Sequence, residues 1–297
     1  MKMLLTRTTG GLALIACLTG VGATSAVPAP AVLQVYTSGS MAGALTEMAA
    51  RYTEETGQAV KITSGAAGLL RQRLEHGAGA DVYVSANLAN AQHVAQEHLG
   101  APAVIVARNS MCIIARSQLG LTPDNLLDTL GKPSVKIGTS TPGNDPGGDY
   151  AWAWFATLDA ARPGAGKVLR DKAEQLVGGA VAPNVPAHTN AVTYFLQHGR
   201  VDAFVSYCST KQPNATLEPG LVKIAIPPHE SVPVNYAMSV MLRPNHPLRQ
   251  IDAYRFANFL MTPDAQALLP RYGFRPVTAI DAGNVSATVK TRTSGGR

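Results

Sequence analysis

Short apolar runs alternate with stretches in which apolar residues recur every three or four positions, and this alternation fills most of the 297-residue chain. The short runs, rich in Val, Ile and Tyr, predict strands at 32–36, 60–63, 82–85, 104–107, 111–115, 136–138, 203–207, 222–225 and 234–241. The periodic stretches predict helices at 41–55, 68–76, 88–97, 123–129, 148–158, 167–177, 189–198, 248–260 and 263–272. The helix over 41–55 shows the pattern well, with Leu45, Met48, Ala49 and Tyr52 on one face. Gly57, Gly77, Gly100 and Gly199 fall where helices are expected to end. Alternation of this kind predicts α/β architecture, and no internal repeat is evident.

Both ends depart from the pattern. Lys2 and Arg7 precede an uncharged apolar run over 10–21, and small residues follow at 23–26 and 29–31. That order predicts a secretory signal peptide over 1–31. Leu14-Ile-Ala-Cys17 also fits a lipobox, although the residues after Cys17 stay apolar, so lipid anchoring through Cys17 stays open. From 277 to 297 the chain is polar, rich in Gly, Ser and Thr, and basic, and is read as a disordered tail. The net charge of +6 falls to +4 without Lys2 and Arg7, and Lys290, Arg292 and Arg297 sit in the tail. The remainder is nearly balanced and has no basic cluster interleaved with aromatics, so a nucleic acid partner is not expected. Export beyond Cys17 leaves Cys112 and Cys208, which suit either a disulfide or two buried thiols. Two cysteines without a histidine pattern do not make a zinc site, and no metal or cofactor is expected.

The candidate chemistry lies at four junctions where a strand feeds a helix through small residues: Thr37-Ser-Gly-Ser40, Ser64-Gly-Ala-Ala-Gly68, the run 138–148, and Ala187-His-Thr189. Ser40 stands where an N-cap residue is expected. Any one of these is an ordinary turn, but each also aims backbone N–H groups and a helix dipole at one small volume, a setting that suits an anion. In open α/β sheets such volumes lie beyond the carboxyl ends of the strands. Tyr207, ending a strand, is either a donor to such an anion or a half-buried strand residue. Asp81 and Asp202 precede strands and read as structural caps. Trp152 and Trp154 lie on opposite sides of a helix, so at least one belongs to the core. Catalysis is poorly supported: Gly138-Thr-Ser140-Thr-Pro142 approaches a nucleophile elbow but ends in proline. An exported serine hydrolase using Ser40 or Ser140, with His188 and Asp149 as partners, is the alternative from a different class.

The chain resembles the substrate-binding component of molybdate ABC transporters. The likeness rests on Ser40-Met-Ala-Gly-Ala-Leu45, on the run Leu70 to Ala86 containing Gly77-Ala-Gly-Ala-Asp81, and on Pro146-Gly-Gly-Asp-Tyr-Ala151. Phe204-Val-Ser-Tyr207, Phe259-Leu-Met-Thr-Pro263 and Arg271-Tyr-Gly-Phe274 complete it. The resemblance implies a two-lobe periplasmic-binding-protein fold of α/β class, each lobe a mixed sheet flanked by helices. It implies lobe one over 32–107 and 233–276 and lobe two over 108–232. The implied function is non-covalent capture of a tetrahedral oxyanion, molybdate or tungstate foremost, by a periplasmic monomer that docks on an inner-membrane permease. Another anion or a small organic acid is the alternative ligand, and a surface lipoprotein acting as adhesin or sensor is a further alternative. Carried over by position, the ligand set is Ser40, Ala67, the backbone N–H of Gly147, the backbone N–H near Thr189, and the Tyr207 hydroxyl. Ala67 stands where the family has a second serine. A lost donor to a charged ligand costs about 1.5–3 kcal/mol, which implies weaker molybdate binding, a different oxyanion or a different ligand unless Ser38, Ser64, Ser140 or Thr141 compensates. With Cys112 at the crossover and Cys208 beside Tyr207, a disulfide bracing lobe two is expected.

Overall fold

The computed structural model describes residues 31–277 except 181, 187 and 188. The expected signal peptide, its Cys17 and nearly all of the expected tail therefore lie outside the described residues. Two five-stranded mixed sheets form the frame. The first joins β1 (Leu33–Ser38), β2 (Val60–Gly65), β3 (Val82–Ser85), β4 (Val104–Asn109) and β10 (Val234–Val240) in the order β2-β1-β3-β10-β4. Here β1 runs parallel to β2 and β3, whereas β10 is antiparallel to β3 and β4. The second joins β5 (Met111–Arg116), β6 (Ile137–Ser140), β7 (Ala173–Val177), β8 (Ala203–Tyr207) and β9 (Leu221–Ala225) in the order β7-β6-β8-β5-β9. There β6 is parallel to β7 and β8, and β5 is antiparallel to β8 and β9. This is the two-lobe α/β architecture expected. The chain leaves the first sheet at Ser110, between β4 and β5, and returns to it with β10.

The helices are α1 (Ala42–Thr56), α2 (Ala67–Glu75), α3 (Leu88–Gln96), α4 (Leu126–Leu130), α5 (Pro146–Ala161), α6 (Ala165–Lys172), α7 (Ala191–Gln197), α8 (Pro247–Phe259) and α9 (Pro263–Gln266). The α1 face read from sequence is the buried one, with Leu45, Met48, Ala49 and Tyr52 in the core. Tyr52 packs edge-on against Phe256 of α8, with ring centroids 5.1 Å apart. Trp154 is fully buried while Trp152 is half-buried, as their opposite positions on α5 require. Cys112 and Cys208 are bridged, with Cα atoms 5.0 Å apart, tying β5 to the residue after β8.

Three local expectations are corrected. The helix expected over 167–177 stops at Lys172, and Ala173–Val177 becomes the edge strand β7, paired in parallel with β6 and burying Leu176. Pairing at a sheet edge outweighs a helical period read from a short window. The helix expected over 263–272 breaks after α9, because Pro270 has no N–H to continue the ladder, and the chain closes in a 3-10 turn over Leu269–Tyr272. Gly100 ends no helix: Glu97 is the C-cap of α3 and His98 takes the positive φ of 55°. Gly100 instead bridges to Met241, where an added Cβ would lie 2.9 Å from Val94 Cγ1.

Candidate functional site

On the first lobe, β1 ends in Thr37 and Ser38 and turns through Gly39 and Ser40 into α1. Ser40 is not the N-cap: α1 starts from Met41 with no side-chain cap. The Ser40 hydroxyl is instead engaged 2.7 Å from the Tyr236 hydroxyl on β10. Asn109, at the end of β4, donates to the same Tyr236 oxygen at 3.3 Å and to Ser209 at 2.9 Å. Beside this turn, β2 feeds α2, whose N-cap is Ala66, again without a side-chain cap. Ala67 is its first helical residue and fully buried, and its carbonyl accepts the Tyr83 hydroxyl at 2.6 Å. The start of α2 thus offers backbone donors and a positive dipole end with no side chain of its own over them.

On the second lobe, β6 ends at Ser140 and the loop through Gly143 leads into α5. Asp145 is the N-cap of α5, its carboxylate accepting the Gly147 N–H at 2.9 Å, and Pro146 fills the first helical position. The Gly147 amide expected to face a ligand therefore already has an intramolecular carboxylate on it. Burial raises the Asp145 carboxyl to about 6; the nearby charge of Asp149 adds to this, and the Gly147 hydrogen bond and Lys211 offset it. Asp149 accepts from the Gly143 N–H at 2.7 Å and from Asn87 of the first lobe at 3.2 Å. Tyr207, at the end of β8, stacks edge-on between Tyr150 and Tyr236, with centroids 6.3 and 5.7 Å away. Burial first, and then the charges of Asp145 and Asp149 among its neighbours, push the Tyr207 hydroxyl well above its ordinary range, so it stays a donor at any physiological pH.

The two lobes meet closely around these groups. A Cβ added to Gly68 would lie 2.5 Å from the carbonyl oxygens of both Gly143 and Asn144. One added to Gly178 would lie 2.6 Å from Asp145 Cβ and 3.3 Å from Ala66 Cβ. The segment after β8 is tied to the first lobe by Thr210 N–H to Tyr272 and Asn214 N–H to Arg271, at 2.9 and 2.6 Å. Among the described residues, the buried hydroxyls of Thr37, Ser38, Thr139, Thr141 and Tyr207 have no hydrogen-bond partner. All five lie in the last two residues of β1, β6 and β8 or directly after them, at the carboxyl ends of the strands. A buried hydroxyl without a partner costs about 1–3 kcal/mol, so each of these five calls for an explanation other than stability.

Of the residues singled out by sequence, Ser40, Ala67, Gly147 and Tyr207 are drawn to this interlobe region. Thr189 is exposed, and its N–H donates to the Pro186 carbonyl at 3.2 Å. The cap of α7 is Asn190, whose side chain accepts from Thr193 at 3.3 Å. His188 lies outside the described residues, and both Asp149 oxygens are engaged by loop and cross-lobe donors. Sequence reasoning missed Tyr236, Asn109, Tyr150 and the role of Asp145. Only Asp145 carried a local signal, the Asp-Pro pair that opens helices. Tyr236 and Asn109 reach the site through sheet pairing across more than a hundred residues. Among the described residues no group of three or more His, Cys, Asp or Glu is placed to hold a metal ion, and no helix is long and apolar enough to cross a membrane.

Comparison with known proteins agrees with the architecture. A Pasteurella multocida protein, named only as uncharacterized, is 30% identical over 195 residues, covering 65% of this chain and 80% of that one. The Azotobacter vinelandii periplasmic molybdate-binding protein superposes with a TM-score of 0.64 at 18% identity, covering 83% of this chain and 100% of that one. PEB3 of Campylobacter jejuni, bound to L-phospholactate, superposes with a TM-score of 0.62 at 16% identity, covering 82% and 99%. At such identities the likeness carries the fold, and the ligands of these neighbours differ. Residues 33–275 match the family model for bacterial extracellular solute-binding proteins, a family of binding proteins rather than enzymes, and the chain belongs to that family.

Proposed function

We propose that this solute-binding protein captures a tetrahedral oxyanion, molybdate or tungstate foremost, between its lobes and presents it in the periplasm to an ABC-transporter permease. The observation that carries this reading is the set of buried, partnerless hydroxyls at the ends of β1, β6 and β8. Neutral donors and helix starts stabilise an anion without a counter-charge, because the donors are fixed before the ligand arrives. Ala67 supplies an N–H but no hydroxyl. Ser38 and Thr141, both partnerless, are the candidates to replace the missing donor. Ser64 is exposed and is a poorer one. Closure of the lobes completes the coordination, and the closed form is what a permease would recognise.

Calorimetric titration of the protein from residue 31 onward with molybdate, tungstate, sulfate and phosphate tests the reading. Saturable one-to-one binding of molybdate or tungstate is expected; silence with all four anions would overturn it. A fluorophosphonate probe should leave Ser40 and Ser140 unlabelled. Tyr207→Phe removes one donor to a charged ligand, worth about 1.5–3 kcal/mol. It should weaken molybdate binding roughly 10- to 150-fold while leaving the melting temperature within a few degrees of the parent. Gly68→Ala places a methyl group 2.5 Å from two carbonyl oxygens of the opposite lobe. Overpacking of this kind costs about 1–3 kcal/mol and falls on the closed form alone. Binding should weaken by roughly 5- to 150-fold, and scattering profiles should show less compaction on adding ligand.

A further inference from the structure

Asp145 has no place in a site made only of neutral donors. Its carboxylate holds the Gly147 amide at 2.9 Å. Its Cβ packs where the Gly178 backbone and Ala66 of the opposite lobe converge. The partnerless Tyr207 hydroxyl lies close enough to feel its charge, and the Ser140 hydroxyl stands beside Gly147, 3.1 Å from where a Cβ on that glycine would lie. We propose that Asp145 is a specificity-determining residue: an oxyanion reaches the Gly147 amide only with a proton shared between it and the Asp145 carboxyl. That proton comes either from the carboxyl itself or from a ligand that carries one, as hydrogen phosphate and phosphate monoesters do. This inference rests on the oxyanion reading of the site and deepens it.

The physical reason is charge. An ionised carboxylate beside an oxyanion repels it, and both compete for one N–H. A protonated carboxyl becomes a donor and turns the repulsion into a hydrogen bond. The charged and titratable groups around Asp145 do not remove the conflict. Asp149 on α5 adds negative charge, and its oxygens already accept from Gly143 and Asn87. Tyr150, Tyr207 and Tyr236 remain neutral, each raised above its ordinary range by burial first. Lys211, after β8, favours the ionised carboxylate but is exposed to solvent. From α2 the neighbour is Ala66; the charges of that helix are turned elsewhere, Arg71 toward Glu75 and Arg73 toward Tyr36. A carboxylate cannot tell ions apart by size, but it separates those that bring a proton from those that do not.

The test is calorimetric titration of the parent and of Asp145→Asn with molybdate, sulfate and phosphate at pH 5.5 and pH 8. Asparagine keeps the helix cap, so the variant should fold. Molybdate and sulfate carry no proton across this range. For a carboxyl titrating at about 6, linkage predicts parent binding of these two ions roughly 50- to 100-fold weaker at pH 8 than at pH 5.5. Phosphate, which keeps a proton at both values, should lose less. Asp145→Asn should bind molybdate equally at the two pH values and as tightly as the parent does at pH 5.5. Parent binding that is strong but independent of pH, or a variant weaker than the parent at pH 8, would overturn this inference and leave the oxyanion reading standing. Silence of both proteins toward all three anions at both pH values would overturn the oxyanion reading, and this inference with it.

Discussion

Replacing Cys112 and Cys208 with alanine is expected to lower the stability of the protein by about 2–5 kcal/mol, the range found when native bridges are removed. The bridge closes a loop across a sequence separation of 96, and the chain-entropy account gives its largest stabilisation to long loops. For a chain of this size that is a fall in melting temperature on the order of 5–15 °C. The effect should reach the ligand site as well. Met111 is the register partner of Tyr207, and Cys208 is the next residue, its N–H held by the Ser110 carbonyl at 2.9 Å and its carbonyl by Lys223 at 3.0 Å. Freed from the bridge, the end of β8 holds the Tyr207 hydroxyl less firmly, and anion affinity should drop in the folded variant. Thermal unfolding of the two forms, and thiol titration of the unfolded, unreduced parent from residue 31 onward, measure both halves. Two reactive thiols in the parent would sink the prediction.

Arg249→Met is expected to cost about 3 kcal/mol or more. Asp81 is fully buried, and Arg249 grips its two oxygens at 2.6 and 2.7 Å from Nε and a terminal nitrogen. The same carboxylate accepts the Gln34 N–H at 2.7 Å, and Arg243 stands off at 3.6 Å. Removing one partner of a buried pair leaves a charge with neither water nor a full set of donors, at about 3–5 kcal/mol. The remaining contacts to Gln34 and Arg243 place the loss toward the lower end. Arg249→Lys should recover only part of it, because an ammonium cannot make the two-pronged contact. The double variant Asp81→Asn, Arg249→Met should be more stable than Arg249→Met alone, since it removes the stranded charge. Urea denaturation of the four proteins checks this, and a double variant less stable than Arg249→Met would refute it.

The Asp81 case shows how local sequence and tertiary structure divide the information. Its position before β3 suggested a cap, and it does hold a backbone N–H. Its partner lies 168 residues further on, in α8, and nothing near Asp81 announces Arg249. Asp202 is similar in kind: it holds the Lys136 N–H at 2.9 Å, which starts β6 beside β8. At the ligand site, Ser40 and Tyr207 were legible because small residues and strand ends have local signatures. The bond that Ser40 makes was not, because Tyr236 comes from the last strand of the first sheet.

By itself the sequence determined the α/β class, the positions of nine of the ten strands and the buried face of α1, because each follows from a periodicity within a dozen residues. It also brought out, by resemblance, four of the residues that meet between the lobes. Tertiary structure alone decided that 173–177 is an edge strand and that the Thr189 N–H turns to the Pro186 carbonyl, while the bridge between Cys112 and Cys208 agrees with the sequence expectation. Tertiary structure alone also brought the Asp145 cap of α5 into the interlobe region beside Ala66. A helix cap is written in the chain, but whether its carboxylate faces water or is enclosed depends on what the other lobe brings against it, here Ala66, and that is fixed only when the sheets are assembled.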